Sequence, residues 1–281
     1  MTAFFVENLL LLPFLFATYL VLEAIEAKAG GAFGRYLGRV RSFGPVVGSL
    51  AGAVPQCGIA ASAASLYSGG VITVGTLVAV FLSTSDELVP VLLSYRTVSV
   101  QTLFKIVGIK IAGAVAAGVT VDLLIGFFGK RGRSDTSRID ELCRHSRCGC
   151  CRRKGIVVPA LIHTAEIFVF ILAVSAAFRS LEFVFGTGWV KVLALDRPFI
   201  GELTGAALGL IPNCAPSVIC AQMYAADMIS PGALMAGSFT GCGVGLAVLF
   251  RQNRDWKANL AVLAAVYAIG CVLGLVAGGL L

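Results

Sequence analysis

Apolar residues in this chain gather into long runs at residues 4–25, 44–67, 70–95, 102–127, 156–178, 200–225, 228–250 and 258–281. Each is about 20 residues or more, the helical length that crosses a hydrocarbon core of about 30 Å. The pattern predicts an all-α polytopic membrane protein. One polar interruption, Lys130 to Lys154, holds nine basic and three acidic residues. It sets the expected boundaries: a first transmembrane repeat at 1–128, a basic, Cys-rich cytoplasmic linker at 129–155, and a second repeat at 156–281.

The two halves repeat each other without gaps at a separation of 157 residues. Gly44, Gly48 and Gly52 fall on Gly201, Gly205 and Gly209, then Pro55 on Pro212, Cys57 on Cys214 and Tyr67 on Tyr224. Ala64, Ile72, Gly75, Leu77 and Ala79 fall on Ala221, Ile229, Gly232, Leu234 and Ala236. Apolar residues coincide by chance, but Pro, Cys and Tyr at one fixed spacing do not. Duplicated halves in a membrane chain point to transporters and channels.

Loop charge sets the expected topology. The 27–43 loop (Lys28, Arg35, Arg39, Arg41) and the 130–154 loop are both basic, which places both in the cytoplasm. The chain between them must then cross an even number of times, yet three runs lie there. Run 44–67 is the one expected to turn back, because Ala53-Val54-Pro55-Gln56-Cys57-Gly58 interrupts it, as Ile211-Pro212-Asn213-Cys214-Ala215-Pro216 interrupts run 200–225. Each half then has about five helical segments, ten in all, and an odd number per half makes the repeats inverted, with broken helices at their interface. Both termini are expected outside, and the loop at Arg251, Arg254 and Lys257 inside. Run 4–25 has no basic n-region or cleavage site and reads as a retained span.

Composition agrees with this picture. The chain is 58% hydrophobic and 13% charged, with a mean hydropathy of +0.91, against about 25% charged in soluble domains. Its net charge of +7 sits in the loops, so it marks topology, and no nucleic-acid partner is expected. The partners expected are a lipid bilayer and a small transported solute.

Broken helices at membrane depth are tolerated where the freed backbone lines a cavity, and matched breaks in two repeats mark a transport site. Gln56 with Cys57 and Asn213 with Cys214 stand at the first pair of breaks. A second pair is expected at Ser83-Thr84-Ser85-Asp86-Glu87 and at Thr240-Gly241-Cys242-Gly243. The transport-site candidates are therefore Gln56, Cys57, Ser83, Ser85, Asp86, Glu87, Asn213, Cys214, Thr240 and Cys242. An acid at the centre of a membrane helix costs about 2.5–3.5 kcal/mol, which a bound cation or proton would offset. The plainer alternative makes Asp86 a helix cap and Glu87 a protonated group or a partner of Lys105 or Lys110.

His163 and Glu166 share a helix face at i, i+3, a spacing found in carboxylate-bundle metal sites. The metal-ligating candidates are Asp86, Glu87, Asn213, His163 and Glu166. In the linker, Cys143, His145, Cys148, Cys150 and Cys151 form a candidate cytoplasmic site for sensing a soft metal, although they lack paired C-x2-C units. No phosphate-binding loop for ATP occurs, so transport would draw on a gradient. No resident cofactor is expected; a metal ion enters as cargo.

The stretches PQCGIAASAASLYSGGVITVGTLVAVFLSTSDE and PNCAPSVICAQMYAADMISPGALMAGSFTGCGVG resemble the ten-span heavy-metal exporters of bacteria, a group associated with manganese transport and arsenic efflux. The resemblance extends over nearly the whole chain and is strongest at 44–95 and 201–250. It implies export of a divalent heavy metal, manganese first, across the inner membrane. Two alternatives stand beside it. One is a permease for an organoarsenical or another small organic metabolite. The other is a membrane-embedded enzyme, using the thiols of Cys57 and Cys214 or a metal at His163 and Glu166.

Overall fold

The computed structural model describes residues 43–54, 57–84, 88, 89, 92, 99–128, 199–212, 215–225 and 228–281. It also describes 13, 16, 17, 20 and, in the run after the linker, 157, 158, 160–162, 164–166, 168–170, 172 and 173. Among the described residues the protein is all-helical, with no strand. The bounded helices are α1 (Gly44–Gly52), α2 (Cys57–Ser68), α3 (Val74–Ser83), α4 (Val100–Phe128), α5 (Ile200–Gly209), α6 (Ala215–Ala225), α7 (Pro231–Thr240), α8 (Val244–Gln252) and α9 (Trp256–Gly278).

Three stretches are long and apolar enough to cross a membrane: Gln101–Phe127, Pro231–Gln252 and Trp256–Gly278. They differ in exposure. Pro231–Gln252 is almost wholly buried, whereas the other two leave most of their length at the surface. Phe104, Leu123, Leu124 and Phe127 on α4, and Leu260, Val272 and Val276 on α9, form exposed apolar faces. Such faces are compatible with lipid around a membrane protein.

The duplication is visible in the helix bounds. α3 and α7 start and stop 157 residues apart, and α1 and α2 match α5 and α6 to within one residue. In the last helix of each half the register shifts to 156, which aligns the buried positions Ile106 with Val262, Lys110 with Val266, Ala114 with Gly270 and Gly118 with Gly274. The packing repeats as well. α3 lies against α1 and α4, as α7 lies against α5 and α9. Between the halves, α2 packs on α8, with Gly245 of α8 set against Ala60 of α2.

Small residues make this packing possible. A Cβ on Gly52 would overlap the Ser83 hydroxyl and approach the Val80 carbonyl; one on Gly209 would overlap the Gly237 carbonyl and the Thr240 hydroxyl. Those contacts are repeat mates of each other. Glycines four apart on α1 and α5 thus bring two backbones together, as small residues do between membrane helices. Both packed helices begin on a capping hydroxyl: Thr73 accepts from the Thr76 amide at 3.0 Å and Ser230 from the Ala233 amide at 3.0 Å.

Both expected interruptions of the apolar runs are found. α1 ends at Gly52 and α2 starts at Cys57, while α5 ends at Gly209 and α6 starts at Ala215. Run 228–250 breaks at Gly241–Gly243, where Gly243 has φ 51°. That left-handed conformation strains any residue with a side chain.

The glycine contacts give a test with opposite signs. Gly209→Ala is expected to destabilise the protein by about 3 kcal/mol or more through overpacking against backbone. Gly108 has open space around its Cβ position, so Gly108→Ala is expected to stabilise by up to about 1 kcal/mol. Thermal unfolding of the purified protein in detergent checks both.

Candidate functional site

Helix α3 is ten residues long and so is α7. At 1.5 Å per residue each spans about 15 Å, half of a hydrocarbon core. Both stop among buried residues, and a helix leaves its last four carbonyls without intrahelical partners. In the interior those groups need donors.

Side chains and the chain itself supply donors to several carbonyls around these ends. The Val80 carbonyl accepts from the Ser83 hydroxyl at 3.0 Å, the Thr84 hydroxyl at 2.7 Å and the Thr84 amide at 3.0 Å. On α7 the Thr240 hydroxyl donates across to the Ala206 carbonyl of α5 at 2.7 Å, with the Ala236 carbonyl at 3.1 Å. The Thr240 carbonyl accepts from the Cys242 amide at 2.7 Å and from its thiol at 3.1 Å.

A further donor is Lys110. It occupies the inner face of α4, in step with Ile106, Ala114 and Gly118, and is fully buried. Its ammonium donates to the Thr84 carbonyl at the end of α3, and at 2.9 and 2.7 Å to the carbonyl and hydroxyl of Ser238 near the end of α7. The Phe239 ring lies 6.0 Å from it, at the outer limit of a cation–π contact. One cation therefore joins the C-terminal ends of two half-length helices, one from each repeat. Each such end carries about half a negative charge, which favours an ammonium there. The repeat mate of Lys110 is Val266, which leaves the second half without an equivalent lysine at this position.

The opposite ends of α3 and α7 carry acids. Asp122, near the end of α4, accepts from the Thr73 hydroxyl at 2.7 Å and the Gly75 amide at 2.8 Å. In the second half the mate of Asp122 is Gly278, and the acid comes from α5 instead. The Glu202 carboxylate lies against Gly232, the mate of Gly75, so closely that a Cβ there would overlap it. Glu202 is buried and its Oε2 has no hydrogen-bond partner. A helix N-terminus contributes at most about 2 kcal/mol to such a carboxylate, less than the several kcal/mol of desolvation that a buried ion carries.

Among the sequence candidates, Ser83 and Thr240 are buried at the ends of α3 and α7, and Cys242 is buried in the break that follows α7. Lys110 draws these two segments together through Thr84 and Ser238. Cys57 opens α2. Gln56, Ser85, Asp86, Glu87, Asn213, Cys214 and His163 lie outside the described residues, as do Cys143, His145, Cys148, Cys150 and Cys151 of the linker. Glu166 lies apart from the junction, half-exposed in an ion pair of 3.1 Å with Arg251 at the end of α8. Arg251 also lies 4.5 Å over the Phe170 ring. No cluster of three or more His, Cys, Asp or Glu side chains occurs among the described residues.

Sequence reasoning passed over Ser238, Asp122 and Glu202, and weighed Lys110 only as a partner for Glu87. A usable signal existed for two of them. Glu202 is the one charged residue between Ile200 and Ala225, and Lys110 recurs at four-residue spacing with Ile106, Ala114 and Gly118. Comparison with protein-family models, with curated proteins and with solved structures finds no match in any of the three.

Removing the ammonium strands the carbonyls it serves. Lys110→Met is expected to cost about 1–3 kcal/mol, the range for leaving a buried acceptor without its donor. Lys105→Met, at an exposed position on the same helix, is expected to change stability by less than about 0.5 kcal/mol. Melting curves of the two variants against the unaltered protein make the comparison.

Proposed function

We propose that this protein is a secondary transporter that exports a divalent heavy metal, manganese first, across the bacterial inner membrane by alternating access. The observation that carries the reading is the meeting of two helix C-termini at one buried cation. Helix C-terminal ends and unwound carbonyls are how transporters of broken-helix architecture hold cations near the bilayer midplane. Two half-helices of about 15 Å, one per repeat, joined at their ends, are what an inverted duplication would place there. In this reading the ten-segment, inverted arrangement holds, with the linker in the cytoplasm.

The cargo would enter the junction beside Ser83, Thr240 and Cys242, with Asp86, Glu87, Gln56 and Asn213 completing its surroundings. Lys110 constrains how. A divalent ion 4 Å from an ammonium is repelled by about 8 kcal/mol at an effective dielectric of 20. The ammonium must therefore leave the carbonyls of Thr84 and Ser238 before the metal can take its place. Movement of Lys110 would uncouple the ends of α3 and α7, which makes loading and opening one event.

The same fixed positive charge supports a second reading, in which the cargo is a neutral or anionic molecule such as an organoarsenical. Lys110 would then remain in place and face the cargo.

A transport panel separates the two. Cells with and without the gene are loaded with Mn, Fe, Co, Ni, Zn or arsenicals, and cellular content and efflux are followed. Expression is expected to lower cellular manganese. The double variant Asp86→Asn, Glu87→Gln is expected to abolish that effect while remaining in the membrane fraction. Efflux confined to arsenicals supports the second reading, and no efflux of any of these solutes rejects both.

A further inference from the structure

The two acids at the starts of α3 and α7 occupy matching places but are not equally served. Asp122 sits over Gly75 with the Thr73 hydroxyl and the Gly75 amide donating to it. Glu202 sits over Gly232 with 5% of its surface exposed and Oε2 unpartnered. The Ser230 hydroxyl accepts from the Ala233 amide as Thr73 accepts from Thr76, yet no donor reaches Oε2. A buried carboxylate oxygen without a donor calls for an explanation, and Asp122 shows that this fold can supply donors to an acid at the corresponding helix start.

We propose that Glu202 receives a small monovalent cation, a proton or Na⁺, and is the group through which transport couples to an ion gradient. The coupling role rests on the transporter reading above, but binding at Glu202 is testable without any transport. The cation neutralises the carboxylate between α5, α7 and α9. The titratable groups on the surrounding helices are few. On α9 the titratable groups facing this region are Cys271, near Glu202, and Tyr267, whose hydroxyl donates to the Leu203 carbonyl at 3.3 Å. Lys257 is at the far end of α9, and α7 carries no titratable side chain. On α6, Cys220 packs against Gly237, further along α7, and Tyr224 is the other such group. Among the described residues, none of these groups but the distant Lys257 is a fixed cation, and the proposed ion is one taken from solution.

Position supports the role. Glu202 touches the start of α7, and the other end of α7 is held by Lys110. A change of charge at one end of a ten-residue helix acts on the dipole that the ammonium holds at the other. Ion binding and release of the junction are thereby linked through a single rigid element.

The test uses the full chain purified in detergent. Melting temperature is measured across a pH series and in Na⁺ against choline, for the unaltered protein, Glu202→Gln and Asp122→Asn. The unaltered protein is expected to gain several degrees with Na⁺, or with falling pH, according to which ion binds. Glu202→Gln is expected to lose that dependence, while Asp122→Asn keeps it. The same ion response in Glu202→Gln overturns the proposal. A second measurement needs no variant: a carbodiimide that modifies protonated buried carboxyls is applied, and Glu202 is followed by mass spectrometry. Labelling that rises as pH falls supports the proton, and labelling blocked by Na⁺ supports the metal ion. A Glu202 unlabelled at every pH and indifferent to Na⁺ overturns the proposal even if the panel shows transport; binding without transport leaves it standing as a site and rejects only the transporter reading.

Discussion

A helix that stops inside a low-dielectric interior presents several unpaired carbonyls and about half a unit of negative charge, and the centre of this protein is arranged around two such ends. Lys110 reaches both at once: its ammonium donates to Thr84 at the end of α3 and to Ser238 near the end of α7. The starts of the same helices are matched by Asp122 and Glu202. α3 and α7 are thus held at both ends by side chains from neighbouring helices, and hydroxyls at their ends reach the carbonyls of Val80 and Gly237. This is why two ten-residue helices, too short to be stable alone, persist in the core.

The duplicated halves share a backbone plan but distribute charge differently. Where the first half has Lys110 and Asp122 on α4, the second has Val266 and Gly278 on α9, and Glu202 on α5 replaces Pro45 of α1. Gly278 permits the substitution: its Cα lies where a side chain would collide with Gly232, so the acid has to arrive from another helix. The start of α7 therefore keeps a carboxylate although the residue supplying it has moved. What differs is its hydrogen bonding, complete for Asp122 and incomplete for Glu202.

The sequence made the architecture legible wherever the signal was local. Pro55 and Pro212 sit inside the interruptions between α1 and α2 and between α5 and α6, and Gly241 with Gly243 opens the break after α7, because proline and glycine act on their own turn of helix. The 157-residue repeat carried over almost unchanged into helix bounds, since apolar length and capping hydroxyls at Thr73 and Ser230 are also local. The charged core was harder to read. Whether Lys110 faces lipid, a cavity or two carbonyls depends on residues 26 positions before it and 128 after it, and no window of sequence contains both. Glu202 stood at the edge of its run, where a charge reads as a membrane-surface residue. Its burial follows from contact with Gly232 and α9, which are brought near only by the fold.

The unequal charges bear on how a duplicated transporter could work. Two identical halves exchanging roles would give two states of equal energy, and a cargo would bias neither. Here one half supplies the ammonium and the other supplies the unpartnered carboxylate, so the two states cannot be equivalent in electrostatic energy. A shift of 1.4 kcal/mol changes their ratio tenfold, and single buried contacts of the kind made by Lys110 are worth about that or more. In the transporter proposed above, the position of one lysine between two helix ends would bias which state rests, and neutralising Glu202 at the far end of α7 would shift that bias.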